Sequence, residues 1–131
     1  MKISALVLAK NEQEMIADAL SQLKFADEII VLDQHSTDKT AEIAKKYTDK
    51  IITCKSEQFD NNRNLLAKEA KGQWLLYIDA DERLQQDNIE EIKETITRGT
   101  DSAYYFPRQN YILGKFQKHG GWWPDYVPRL F

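Results

Sequence analysis

This chain is short of cysteine, of glycine and of long apolar runs, and each shortage removes a class of reading. Its single cysteine, Cys54, cannot close an internal disulfide, which fits a reducing compartment and makes the cytoplasm the expected location. Five glycines are present, yet no G-x-G-x-x-G, G-x-x-x-x-G-K-[ST] or G-x-S-x-G is formed. With no C-x-x-C either, the usual marks of dinucleotide, P-loop, esterase and thiol-redox chemistry are missing. No apolar run approaches the roughly 18 residues of a membrane span. "MKISALVLAKNEQE" runs into charge without a small-residue cleavage site, so neither a span nor a signal peptide is expected. Net charge is small, −3 with a pI near 5.4. It gives no general attraction to nucleic acid or anionic membrane, and any phosphate site must be local.

What is present suffices for one domain: 131 residues, 42% hydrophobic and 30% charged, can bury a real core but are too few to expect two. "KISALVLA" is apolar almost throughout and suits a strand covered on both faces. In "NEQEMIADALSQL" Asn11 can cap a helix with Glu14 three residues on, and Ile16, Ala19, Leu20 and Leu23 form one stripe. "EIIVLD" reads as a second buried strand, and "STDKTAEIAKKY" as a helix. "KIITC" is a third strand, "NNRNLLAKEAKG" a helix closed by Gly72, and "QWLLYI" a fourth strand. "DNIEEIKETITRG" repeats the capping logic, with Asp87 and Glu90 at box spacing and Gly99 as the stop. Strands alternating with helices predict a three-layer α/β/α sandwich with a mainly parallel sheet, a Rossmann-like nucleotide-binding half. Ligands collect outside the carboxyl ends of such strands, where Asn11, residues 33–36 and residues 79–82 all fall.

The residues that could carry chemistry sit at those ends. "WLLYIDADER" runs from five mostly apolar residues into Asp79, Asp81 and Glu82. Side chains alternate along an extended chain, so Asp79 and Asp81 share a side and can share a hard cation, Mg²⁺ or Mn²⁺. The plainer reading has Asp79 capping a turn with the other two acids solvated. Asp33 can accept bonds from a base or ribose, or simply shape its turn. Arg63 can face a phosphate or lie along the surface, and His35 reads as a solvated loop residue. After residue 101 the chain turns aromatic and holds all three prolines. Trp122 and Trp123 could form a platform for a sugar ring or a corner of the core. The terminal "VPRLF" reads as a cut rather than an end, with self-association through 101–131 the expectation.

Asn11-Glu12, "LDQHSTDKT", "NNRNLLAKEAKGQWLLYIDADE" and "HGGWWPDYVPRLF" together resemble the family-2 glycosyltransferases of the GT-A fold. The branch that builds the lipopolysaccharide core is the nearest, and the resemblance covers nearly the whole chain. It implies residues 1–131 as a single, truncated glycosyltransferase domain, with 1–100 binding the donor and 101–131 opening the acceptor part, so that donor binding is expected of this piece alone but little or no sugar transfer. It implies a UDP-sugar donor, a saccharide or glycolipid acceptor, no nucleic acid, and peripheral membrane association of a longer enzyme at the inner face of the membrane. By position, Asp81 matches the acid that holds Mg²⁺ or Mn²⁺ against the diphosphate, and Asp79 the acid at the ribose or metal shell. Asp33 matches the nucleoside-side acid, Ala9 and Asn11 line the base pocket, and Arg63 matches a nucleotide-side residue. Asp125 is the candidate base of an inverting transfer. This chain departs from the "D-D-G-S" loop of many relatives with Gln34 and His35. A different class, a non-catalytic Mg-binding nucleotide-binding or regulatory α/β module, would share the acids but not need the aromatic tail. A sugar nucleotidyltransferase would show a Gly-rich basic loop where this chain has "KNEQE".

Overall fold

The computed structural model describes residues 2–54, 59–99, 104–108, 111–112, 115–116 and 125–131. In chain order these form β1 (Ile3–Ala9), α1 (Ile16–Ser21), β2 (Glu28–Asp33), α2 (Thr40–Ala44), β3 (Ile51–Thr53), α3 (Phe59–Glu69), β4 (Trp74–Asp79) and α4 (Gln86–Arg98). The strands β5 (Tyr104–Arg108), β6 (Tyr111–Ile112), β7 (Lys115–Phe116) and β8 (Asp125–Leu130) follow. The main sheet has the order β3-β2-β1-β4-β8-β5, and β6 pairs separately with β7. Strands β1 to β4 are mutually parallel, while β8 runs antiparallel to both β4 and β5.

The two-residue period of β1 builds both layers at once. Ile3, Ala5, Val7 and Ala9 face a core shared with Ile16, Leu20 and Leu23 of the α1 region, Ala44 of α2 and Ile92 of α4. Leu6 and Leu8 face the other way, with Ile30 and Leu32 of β2, against Leu65 and Leu66 of α3. A strand covered on both faces has no polar side to show, which is why "ISALVLA" is apolar nearly throughout. β4 is different: Trp74, Leu76 and Ile78 are buried, but Leu75, Tyr77 and Asp79 between them are only half-buried. The apolar run therefore conceals a strand with one fully covered face.

Several local expectations are corrected. Asn11 does not cap α1: it has a positive φ of 52°, and α1 begins at Ile16 after Met15. Gly72 does not close α3, which ends at Glu69; it lies just before β4 instead. The box at the start of α4 uses Asn88 Oδ1, which accepts from Gln85 N at 3.1 Å, rather than Asp87 and Glu90. Gly99 does stop that helix, in the left-handed conformation with φ 68°. Helices α1 and α2 are one to two turns long, shorter than their hydrophobic stripes predict, because the flanking residues are drawn into hydrogen-bonded loops. Trp122 and Trp123 lie outside the described residues.

Candidate functional site

The strand order fixes where a ligand can sit. From β1 the chain moves outward through β2 to β3, then returns to place β4 on the other side of β1. Helices α1 and α3 consequently fall on opposite faces, while α1 and α4, which follow the adjacent strands β1 and β4, share one face. In open α/β sheets ligands collect outside the carboxyl ends beside such a reversal. The loops after β1, β2 and β4 border that edge.

The first two loops are stitched together. Asn11 N donates to Ser36 Oγ at 2.9 Å, and Asn11 Oδ1 accepts from Thr37 N at 2.8 Å. Glu12 N donates to Thr40 Oγ1 at 2.8 Å, and Gln13 N to Asp38 Oδ2 at 3.2 Å. Lys39 N answers with a bond to Gln13 Oε1 at 3.2 Å. Asn11 and His35 both take left-handed backbone, a conformation asparagine tolerates better than most side chains. His35 is exposed, in keeping with a solvated loop residue. Burial alone would push the Asp38 carboxyl up. The bonds from Thr40 Oγ1, Thr40 N and Gln13 N win, and hold it below the ordinary range.

Asp33 ends β2 and is buried. Its Oδ1 accepts from Ser36 Oγ at 2.5 Å and its Oδ2 from Ser36 N at 3.3 Å, which makes it the organiser of the loop. Each carboxylate oxygen has a second lone pair, so the turn role does not exhaust its capacity. Ala9 is buried beside it, and its carbonyl already accepts from Gln34 N at 2.9 Å. Its contribution to a pocket is thus the wall of the strand rather than a carbonyl left open.

At the third loop the strand stops at Asp79, and Ala80 and Asp81 form a turn. The period-two argument that put Asp79 and Asp81 on one side ends there: Asp79 is half-buried, Ala80 is buried in the α1 face of the core, and Asp81 is exposed. Glu82 folds back, its Oε2 accepting from Asp79 N at 3.0 Å while its own N donates to Asp79 O at 3.0 Å. Burial first, then the charges of Asp81, Asp38 and Asp79, against the opposing charge of Arg83, raise the Glu12 carboxyl above its ordinary range. Among the described residues no three His, Cys, Asp or Glu side chains are grouped to hold a metal by themselves. Mg²⁺ commonly binds through one or two carboxylates, with water and phosphate completing its shell, so a pair such as Asp79 and Asp81 is chemically of the right type.

Arg63 is half-buried and stacks on an aromatic ring. Its guanidinium carbon lies 5.0 Å from the ring centre of Tyr77, whose hydroxyl donates to Arg63 O at 3.4 Å. Tyr77 precedes Asp79 by two residues and shares its strand face, so Arg63 stands one pleat from the turn. Asp125 opens β8, opposite Arg108 of β5. Because β8 runs antiparallel to β4, with Leu76 opposite Leu130, its start lies toward the edge where β4 ends. Asp38, Gln22 and Arg83 were not legible as site residues, since their roles rest on partners far away in sequence. Only the Asp-x-Thr spacing of Asp38 and Thr40 carried a local signal.

The chain spans about a third of the length of the first Rickettsia relatives it matches. It is 38% identical over 104 residues to an uncharacterized glycosyltransferase of Rickettsia bellii, covering 79% of this chain and 35% of that protein. It is 30% identical over 104 residues to the poly(ribitol-phosphate) beta-N-acetylglucosaminyltransferase TarS of Staphylococcus aureus, covering 70% of this chain and 18% of that one. The crystal structure of TarS 1–349 with UDP-GlcNAc superposes with a TM-score of 0.65 at 27% identity, over 75% of this chain and 32% of that chain. Glucosyl-3-phosphoglycerate synthase of Mycobacterium tuberculosis with UDP gives 0.51 at 28% identity, over 63% and 34%. The four-strand parallel core with helices on both faces is thus the GT-A architecture that the resemblance implied. The glycosyl transferase family 2 model matches residues 4–130, and the chain belongs to that family.

Proposed function

We propose that this chain binds a nucleotide-diphosphate sugar, a UDP-sugar, across the crevice between the β1, β2 and β4 loops as the donor of an inverting sugar transfer. The observation that carries this is the placing of Asp33 at the end of β2 and of Asp79 and Asp81 at the end of β4, beside the strand-order reversal between β1 and β4, in a chain of family 2. Relatives in complex with UDP-GlcNAc and with UDP support the choice of donor. Asp33, Asn11 and the β1 wall at Ala9 take the nucleoside, and Arg63 the nucleotide side. Asp81, with Asp79, would hold Mg²⁺ or Mn²⁺, which neutralises charge on the departing diphosphate when bound. An acceptor hydroxyl oxygen bonds to the anomeric carbon as the bond to the diphosphate oxygen breaks, and its proton passes to a carboxylate, with Asp125 the candidate.

The acceptor in this reading is a saccharide or glycolipid of cell-surface glycan synthesis, the lipopolysaccharide core among them. The work is done in the cytoplasm at the inner face of a membrane, a setting that the lone free Cys54 supports. No helix among the described residues is long and apolar enough to cross a membrane. The reading also keeps residues 1–100 as the donor part and 101–131 as the start of the acceptor part. Calorimetric titration of UDP and UDP-sugars with and without Mn²⁺ tests the donor site. Asp81→Asn should abolish the metal-dependent part of the affinity while leaving the melting temperature unchanged; equal affinity in variant and wild type would overturn it.

A further inference from the structure

Two side chains outside the transfer chemistry grip the turn that carries Asp81. Arg83 is exposed, yet its guanidinium is turned inward onto main-chain carbonyls. Nη1 donates to Ala80 O at 2.8 Å and to Glu82 O at 2.7 Å, and Nη2 donates to Met15 O at 2.9 Å. From the far end of α1, Gln22 Nε2 donates to Glu82 O at 3.1 Å, and Gln22 Oε1 accepts from Leu84 N at 2.7 Å. The two ends of α1 thus hold residues 80–84 from both sides. The helix is itself fixed, with Ile16, Ala19 and Leu20 wholly buried. Ordering an arginine costs up to about 2 kcal/mol of side-chain freedom, so an exposed one held by three carbonyls marks a place where position matters.

We propose that Arg83 and Gln22 are positioning residues for donor binding: they fix the Asp81 carboxylate and, through Met15, tie its turn to the loop that carries Asn11 and Glu12. The diphosphate side and the nucleoside side of the crevice are then held at one separation. This rests on the reading of Asp81 as the diphosphate-side acid. The planar fork of arginine is essential to it, because lysine offers the same charge from a single nitrogen and cannot span Ala80, Glu82 and Met15 together.

The test is calorimetry on the full chain with Mn²⁺ alone, with uridine alone, and with UDP in saturating Mn²⁺, each variant checked by thermal melting. Arg83→Met and Arg83→Lys should both weaken UDP binding about tenfold, the scale on which residues supporting a metal-ligating group act. Gln22→Ala should weaken it about threefold, and uridine affinity should stay within about twofold in all three. Full affinity in Arg83→Lys would reduce the role to charge and overturn the proposal. So would an equal loss of uridine and UDP binding, which signals general loosening. If Asp81→Asn weakens UDP binding while Arg83→Met and Gln22→Ala do not, the brace fails and the donor reading survives. If Asp81→Asn has no effect, the donor reading itself falls.

Discussion

The amide of Gly72 donates to Ser4 Oγ at 2.8 Å, and a Cβ placed on Gly72 would stand 2.5 Å from the Ser4 backbone nitrogen. The glycine is therefore required by a close approach between the start of β4 and the edge of β1, not by a helix end. Gly72→Ala should destabilise the fold by about 1–3 kcal/mol, the ordinary cost of overpacking. Two of the three nearest atoms, Ser4 N and Ile3 C, are backbone and cannot swing aside; the third is Ser4 Oγ. Chemical denaturation checks this, and an unchanged midpoint would mean the chain yields there at little cost.

Ser4 also donates to Glu28 Oε1 at 2.5 Å, and Glu28 further accepts from Lys71 N at 2.8 Å and pairs with Lys50. Burial alone would push this carboxyl up, but Lys50, the Lys71 amide and the Ser4 hydroxyl together bring it down to about 2 from an ordinary 4.5. A depressed folded-state pKa contributes stability that is complete above the unfolded value and is lost as pH falls toward the folded one. Stability should therefore fall between about pH 5 and pH 2, and Glu28→Gln should flatten that limb. At neutral pH the variant should cost about 1–3 kcal/mol, since the buried donors keep a poorer acceptor. Denaturant midpoints across that pH range decide it: parallel acid limbs in the two proteins would remove Glu28 as the cause.

The alternation of strands and helices was legible because both layers of the core are written into β1, β2 and β4 as apolar alternation or runs, and that signal is local. So was the placing of Asp33, Asp79 and Asp81, which needs only the strand ends. What escaped is carried by bonds between distant residues. Asn11 has the composition of a helix cap, but Ser36 and Thr37, 25 and 26 residues on, pull it into a left-handed loop. Gly72 has the composition of a helix stop and is explained only by Ser4, 68 residues back. No period or propensity encodes such pairs, and Arg83 with Met15 is another, also separated by 68 residues.

Asp125 gives a prediction that separates chemistry from binding. It opens β8, whose start lies toward the edge where β4 ends, and in the proposed transfer it is the candidate base. If residues 1–131 alone transfer sugar as fast as a longer form, against the expectation for a truncated piece, Asp125→Asn should lower that rate by about a hundredfold or more, within the range for loss of a general base. UDP affinity should be unchanged. Single-turnover transfer measured beside calorimetry is the check, and a rate close to that of the unmodified protein would send the search for the base elsewhere.

Asp33 poses the sharpest choice, because its geometry already explains it as a turn residue. Both oxygens hold Ser36, and Ser36 Oγ in turn receives Asn11 N, so the chain Asp33–Ser36–Asn11 links the β2 loop to the β1 loop. Ser36→Ala cuts this link but leaves the Asp33 carboxylate in place. Asp33→Ala removes both. If the carboxylate itself contacts the nucleoside, Asp33→Ala should weaken uridine binding by about tenfold or more, as loss of a charged hydrogen-bond acceptor does. Ser36→Ala should then weaken it only about two- to threefold, with a stability loss near 1 kcal/mol. Metal should make no difference to either ratio, since uridine carries no phosphate. Uridine titrations of both variants, with and without Mn²⁺, read this directly. Matching losses in the two variants would mean that Asp33 acts only through its loop, and the nucleoside contact would have to be sought among its neighbours.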